Sequence, residues 1–405
     1  MMSNLLATKT ALAIAVQADA ITRATISTPA DLLPHANQRS ANESFTVANP
    51  EYTGSIHSVG DAVLGRSAAM SFDVMMRGPG GSAPPAANTY VPGRIWRAAG
   101  FEEIIFATPL TEALVAGGVN TGATTTVRLG TGASSVNGFY VGFTIQFAGL
   151  NGGSGVRSTS QIIAYDGVTK TATLGEKLAA VPTGNYTIPP QLVYRLNPDA
   201  QPTYLTFDKW LDRKRYFQQN GIPSALSMTF PTSNRGDTAL PIMSVSIAGD
   251  INESQAEADE VAPLTPPLGS IPPFRDGKLA LDGVYVGGAQ VVYDHGIRVG
   301  FPPNPNRASG NDAGQIVQTQ RSVNMNLNEV LLSVQARNSL ANLQTSVPLM
   351  LQYGLVAGRT VYFCVTAGRL NFSNADPSGD FVTSEVSLLI DSADRSVCLS
   401  FPYFT

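Results

Sequence analysis

Residues 242–248 read Ile242-Met243-Ser244-Val245-Ser246-Ile247-Ala248, and Ser71-Phe72-Asp73-Val74-Met75-Met76-Arg77 repeats the scheme in part. Large apolar side chains alternate with small or polar ones. Successive side chains of an extended strand point to opposite faces. Such a segment therefore lays one face on a core and turns the other to solvent or a neighbour. Working outward, residues 278–286, 291–299, 347–353, 360–366 and 382–390 carry strand signals too. Asp166-Gly167, Asn220-Gly221, Asp276-Gly277 and Asp282-Gly283 are turn dipeptides, because Asn, Asp and Gly tolerate the positive φ of tight hairpins. With 38 Gly and 27 Pro in 405 residues, this is the punctuation of a mainly β protein. Helix signals are few. Residues 333–343 (SVQARNSLANL) predict one short α-helix with Ser333 as a cap, and 208–220 (DKWLDRKRYFQQN) is a weaker candidate.

One segment reads as self-contained. Between residues 119 and 188 short strand patterns fall at 124–129, 140–147, 161–165, 169–174 and 186–188, the first three joined by glycine-rich links. This predicts a small β-barrel or sandwich over 116–190, inserted into a main domain formed by 1–115 and 191–405. Residues 253–273 begin acidic and end in Pro263-Leu264-Thr265-Pro266-Pro267 and Pro272-Pro273, which predicts a long loop with polyproline character. Residues 301–314 (FPPNPNRASGNDAG) predict a second long polar loop.

Hydrophobic residues make up 43% of the chain, enough for a real core, while charged residues are only 14%, against about 25% in ordinary soluble domains. Uncharged polar groups can be covered by a partner at moderate cost, whereas unpaired charges cannot, so this surface suits a protein covered by its neighbours. The net charge of −4 argues against a nucleic-acid binder. Lys209, Arg213, Lys214 and Arg215 form the densest basic cluster, but Asp208 and Asp212 dilute it. It reads as a solvated or subunit-contacting face. The apolar run Ala11-Leu12-Ala13-Ile14-Ala15-Val16 is too short to span a membrane, and only Lys9 precedes it, so neither a membrane protein nor a secretory leader is expected. Cys364 and Cys398 sit in apolar, strand-like contexts and are expected as buried thiols rather than a disulfide framework.

The search for chemistry comes back empty. His35, His57 and His295 match no metal-ligand spacing, and the chain has no CxxC, G-x-S-x-G or P-loop. Gly130-Thr131-Gly132-Ala133-Ser134-Ser135 comes nearest to a phosphate cradle, but no helix pattern follows to aim its N-terminus at an anion. Glu102 and Glu103 fall on opposite faces of a strand, so they do not converge as paired carboxylates. Asp259-Glu260 reads as a solvated loop pair. No enzyme, cofactor, metal or small-molecule ligand is expected.

The segment Pro92-Gly93-Arg94-Ile95-Trp96-Arg97-Ala98-Ala99-Gly100-Phe101-Glu102 resembles a signature of the tail tube (major tail) proteins of long-tailed, siphophage-type bacteriophages. Leu64-Gly65-Arg66-Ser67 with Ala69-Met70-Ser71-Phe72 upstream, and the order of Pro-rich loop, strand pair, 321–332, Leu349 to Gly354 and Ala357-Gly358-Arg359 downstream, fit the same pattern. The inserted segment is similar to small β-modules of phage structural proteins. The resemblance implies a tail-tube β-sandwich or barrel whose strands close into a shared barrel in hexameric rings, stacked into the tube that delivers the genome. It implies a virion protein assembled in the host bacterial cytoplasm. Its partners would be copies of itself, a tape measure protein, and tail terminator and baseplate proteins, with DNA passing through the lumen unbound. Trp96, Arg97, Phe101, Pro263, Pro267, Pro272 and Phe301 are the candidate subunit-interface residues. The lumen is expected to be neutral to negative, because a basic lining would hold phosphates. Rival readings are another phage structural part (terminator, baseplate or capsid decoration protein) and a carbohydrate-binding adhesin using Trp96, Trp210 or Tyr140 as a stacking platform.

Overall fold

The computed structural model describes residues 9–20, 22–47, 62–122, 124–197, 203–232, 240–252, 254–266, 268–274, 276–307, 309–328, 346–372, 376–378, 381–390 and 394–404. The protein is mainly β. Among the described residues, strands join into an 18-stranded sheet, a 7-stranded sheet and a two-stranded ribbon.

The large sheet can be followed strand by strand. Ala36–Val47 pairs with Ala62–Met75, which pairs with Ile242–Ile251, then Lys214–Pro231, Gly288–Asp294, Ser322–Asn328, Phe381–Ile390 and the second half of Val361–Phe372, antiparallel throughout. The first half of Val361–Phe372 leads away, through Val397–Pro402 to Gln191–Leu196 and Phe101–Phe106 on one edge and to Val347–Tyr353 on the other. One apolar cluster collects Phe72, Leu226, Val245, Tyr293 and Met325 from the first run and Leu192, Tyr194, Phe363 and Phe401 from the second. The sheet is thus folded over a common core as a sandwich. Fully burying each such side chain is worth about 1.5–3 kcal/mol.

The apolar run near the start is part of this core. Thr10–Val16 is a strand paired with Leu205–Leu211, and Ala11, Leu12, Ala13 and Ile14 are buried. Residues 208–220 are not a helix. Leu205–Leu211 and Lys214–Pro231 form a hairpin that turns at Asp212, whose φ is 52°. The apolar residues of this stretch serve two different faces, with Phe207 in the main core and Trp210 packed with Ala11 and Ala13, and this two-sided burial overrides the helical spacing. Asn220-Gly221 is likewise no hairpin turn. It is a bulge within Lys214–Pro231, where the register against Ile242–Ile251 slips. Bulges bend a strand, and here the bend lets one strand trade Leu205–Leu211 for Gly288–Asp294 as its neighbour. Asp282-Gly283 is the expected two-residue turn, with φ of 49° and 75°.

The α-helix among the described residues is Val91–Ala98, inside the signature segment, whereas the helix expected at 333–343 lies outside the described residues. Pro in the first turn presets the helical φ. Trp96 stacks on Phe401 at 5.7 Å and meets Tyr194 at 4.8 Å. Gly93 makes room for the Tyr194 ring: a Cβ there would lie 1.9 Å from its Oη. Arg94 is buried and pairs with Asp31 at 2.6 Å, tying the helix to the N-terminal strand region.

The smaller sheet runs from Leu110–Ala113 to Asn185–Ile188 and contains all five strands expected there, near their expected positions. Its first strand begins six residues before the expected boundary at 116. The backbone N–H of Leu114 donates to Gly184 O, continuing the pairing of Leu110–Ala113 with Asn185–Ile188, and that of Val115 donates to Arg128 O on a strand near the other end of the sheet. Its core is not its own. Phe143, Ile145, Ile162 and Tyr186 pack with Val193, Cys364 and Cys398 of the large sheet. The strands Gln191–Leu196, Val347–Tyr353 and Val397–Pro402 are consequently buried along their whole length, one face on each core.

Candidate functional site

The most extended feature open to a partner is the outer face of the first run of the large sheet. Alternation puts Phe72, Val74, Met243, Val245, Leu226, Met228, Val291, Tyr293, Val323 and Met325 in the core. The residues between them face outward, and the antiparallel register lines them up in rows. One row runs Asp73, Ser244, Ser227, Asp294, Ser322, Leu389, Arg369. The next runs Met75, Ile242, Thr229, Val292, Asn324, Ser387, Asn371 across the same seven strands. A third, shorter row is Gln290, Asn326, Glu385. The face is thus built mainly from hydroxyl and amide groups. Its charged members include Arg39, Asp73, Asp294, Arg369 and Glu385.

These groups bond mostly along the face rather than converging. Asp73 accepts from Asn37 Nδ2 and Ser244 Oγ, each at 2.6 Å. Asp294 accepts the N–H of Gly296 at 2.9 Å. A shallow groove of about 350 Å³ lies over Gln290, Asn324, Asn326, Asn371, Glu385 and Ser387, and two more depressions lie beside Arg39, Ser71 and Ser246. The surface resembles a smooth polar lining rather than a pocket built around one ligand.

The other chemical candidates are each tied into the fold. His295 is fully buried; its Nε2 bonds Ala99 O at 3.1 Å and its Nδ1 bonds Tyr293 Oη. Since Nε2 must donate to a carbonyl, Nδ1 accepts the tyrosine proton, and the ring points away from the exposed Asp294. Burial pushes the His295 pKa down to about 3, with Arg321 adding to the effect. His35 bonds Leu33 O and Gln38, and His57 lies outside the described residues. Glu102 pairs with Arg195 and Glu103 with Tyr194, on opposite faces of their strand. The loop Gly130 to Ser135 does hold an anion, but an internal one. Gly132 N–H donates to Glu112 Oε1 at 2.8 Å, and Tyr186 Oη donates to Glu112 Oε2 at 2.9 Å. A Cβ on Gly130 or Gly132 would strike that carboxylate at 2.4 Å, which explains the glycines.

The basic cluster at 209–215 is mostly neutralised rather than solvated. Lys214 pairs with Glu257 at 3.2 Å, Arg215 pairs with Asp208 at 2.7 Å and Glu260 at 2.9 Å, and Lys209 is buried against Ser40. Burial lowers the Lys209 pKa. Asp259-Glu260 is therefore not a freely solvated pair, since Glu260 holds Arg215. Among the described residues no group of His, Cys, Asp or Glu side chains is placed to hold a metal ion, and no helix is long and apolar enough to cross a membrane.

The expected interface residues do not converge. Trp96 is 0% and Phe101 2% exposed, so both serve the chain's own core and offer no side-chain surface to a partner. Pro272 is buried against Gly354. Arg97 and Pro263 are half-buried, Phe301 is exposed beside the two-stranded ribbon Ile297–Gly300/Gln315–Thr319, and Pro267 lies outside the described residues. Trp210 and Tyr140 are buried as well, so none of the three rings named as stacking platforms for an adhesin lies on the surface. The polar face was not picked out residue by residue from the sequence. Its signal was there in the hydroxyl and amide residues at alternate positions, but the rows exist only once the strands are in register.

No family model matches the chain, and no curated protein is significantly similar to it.

Proposed function

We propose that the protein is a structural subunit of a bacteriophage tail tube, which polymerises into stacked rings and carries no catalysis of its own. The observation that carries this reading is the outer sheet face, where rows rich in Ser, Thr, Asn and Gln, interrupted by Met75, Ile242, Val292 and Leu389, would line the channel of a ring. DNA moving through a channel must not be held. Clustered Lys and Arg would trap its phosphates, whereas hydroxyls and amides hydrated by water leave it free. Among the described residues, the strand Ala36–Val47 is paired on one edge, with Ala62–Met75. In a ring its other edge would pair with the neighbouring subunit, so that closure removes the edges that invite aggregation. The seven-stranded sheet packs on the opposite outer face of the folded sheet, so a channel-facing polar sheet puts the insert on the tube exterior. Ring stacking is a head-to-tail contact that repeats without closing, which is what a tube requires.

Negative-stain microscopy and sedimentation of the purified protein at rising concentration test this. Rings or tubes with a central channel are the expected outcome. A chain that stays monomeric at every concentration, with no annular particles, overturns the reading.

A further inference from the structure

Cys364 and Cys398 are direct partners in the antiparallel pairing of Val361–Phe372 with Val397–Pro402. Directly opposed residues of antiparallel strands have Cα atoms about 4.5–5.5 Å apart, inside the roughly 4.4–6.8 Å range of disulfides. Both side chains leave the sheet on the side of the seven-stranded sheet, since both belong to its core cluster while Phe363 and Leu399 belong to the main one. Both thiols are free and fully buried. Cys398 Sγ donates to Arg395 O at 3.4 Å, and burial holds the Cys364 thiol in its protonated, unreactive form.

The lid over the pair is a glycine of the insert. Gly142 has φ of +86°, and a Cβ there would lie 2.7 Å from Cys398 Cβ and 2.9 Å from its Sγ. No reagent fits between them while the insert is seated. The seat is polar. Glu176 of the insert is buried and bonds Lys278 Nζ at 2.7 Å and Tyr285 Oη, and Thr144 Oγ1 bonds Ser400 Oγ at 2.9 Å.

We propose that Cys364 and Cys398 form a latch that a low-molecular-weight disulfide can close, and that the insert must lift from the sheet for it to do so. In the lifted state one thiol loses its proton to solvent, and its sulfur attacks the small disulfide. The small S–S bond breaks, one small thiolate leaves, and a mixed disulfide remains. The second cysteine attacks the cysteine sulfur of that bond and expels the second small thiolate. Two protein thiols are oxidised to one disulfide, and one small disulfide is reduced to two thiols, which carry the two protons away. The closed latch staples Val361–Phe372, the strand at which the sheet folds over, to Val397–Pro402.

The test is intact-mass analysis of the full chain incubated with oxidised glutathione and quenched by alkylation. The expected product has lost two hydrogens and carries no glutathione. Lys278→Met leaves Glu176 without its ion partner and is expected to react at least about tenfold faster with an unchanged circular dichroism spectrum. Should that variant misfold, sub-denaturing urea on the native sequence decides: oxidation is expected to speed up with a shallower urea dependence than global unfolding. A Cys364→Ser chain should take up a single glutathione. A product carrying two glutathiones, or oxidation that keeps pace with global unfolding in every chain, overturns the proposal.

Discussion

His295 shows how burial sets charge at a single residue. The ring is enclosed, donates to Ala99 O at the end of the helix Val91–Ala98, and lies near Arg321. Its pKa is about 3 in the folded protein, against about 6.5 in an unfolded chain. Between these values the unfolded chain takes up a proton that the folded one refuses. The neutral ring's contribution is therefore fully present above pH 6.5 and is lost as pH falls towards 3. The slope approaches about 1.4 kcal/mol per pH unit for this one group. Urea unfolding of the native chain and of His295→Gln across pH 4–7.5 measures it. The native chain should lose stability more steeply below pH 6.5, and parallel pH profiles would count against the assignment.

The hairpin of Leu205–Leu211 with Lys214–Pro231 shows what an element does with its charges. Asp208 is fully buried and accepts from Arg23 at 2.5 Å and Arg215 at 2.7 Å. Arg215 also lies over the rings of Trp210 and Phe217, at 4.6 and 4.7 Å. One carboxylate thus holds the 22–26 segment and the hairpin together, while Glu260 of the following loop holds the outer side of Arg215. Asp208→Asn keeps the shape but leaves Arg23 without this carboxylate and Arg215 with Glu260 alone, and breaking a buried pair costs about 3–5 kcal/mol. Lys214→Met removes only the exposed pair with Glu257 and should leave stability nearly unchanged. The two variants, compared by urea denaturation, should differ widely; equal midpoints would show that Asp208 is not the tie.

At the scale of the whole molecule, the folded sheet separates two surfaces. The polar rows lie on one outer face and the seven-stranded sheet packs on the other. A thiol probe on each reports which face the proposed assembly would cover. The background is low, because both native cysteines are buried. Asn324→Cys on the polar face and Val168→Cys on the insert, where Val168 is 83% exposed, should both react with a bulky maleimide before assembly. After assembly only Val168→Cys should stay reactive. The reverse pattern would place the insert inside the assembly and overturn the channel-lining role of the polar rows.

Local patterning alone was enough for the mainly β class and for many strands, though not for Thr10–Val16, Gln191–Leu196, Leu205–Leu211 or Lys214–Pro231. Alternation at 242–248 needs no tertiary context, and neither do the φ-tolerant pair Asp282-Gly283 or the glycine-spaced strands of the insert. It also carried the low charge of the chain. Other features depended on partners far away in the chain. Residues 208–220 became a hairpin because Phe207 and Trp210 are buried on different faces, and the Val91–Ala98 helix carries Trp96 into the core beside Tyr194 and Phe401. Trp96 and Phe101 therefore stabilise the chain from inside, where a one-dimensional reading named them as candidate interface residues. The polar rows are the same kind of result. Ser244, Ser227 and Asp294 are scattered in sequence and become neighbours only when backbone hydrogen bonding fixes the register of their strands. Composition and period are local properties, whereas a surface is made by long-range pairing, and that pairing only the tertiary structure decided.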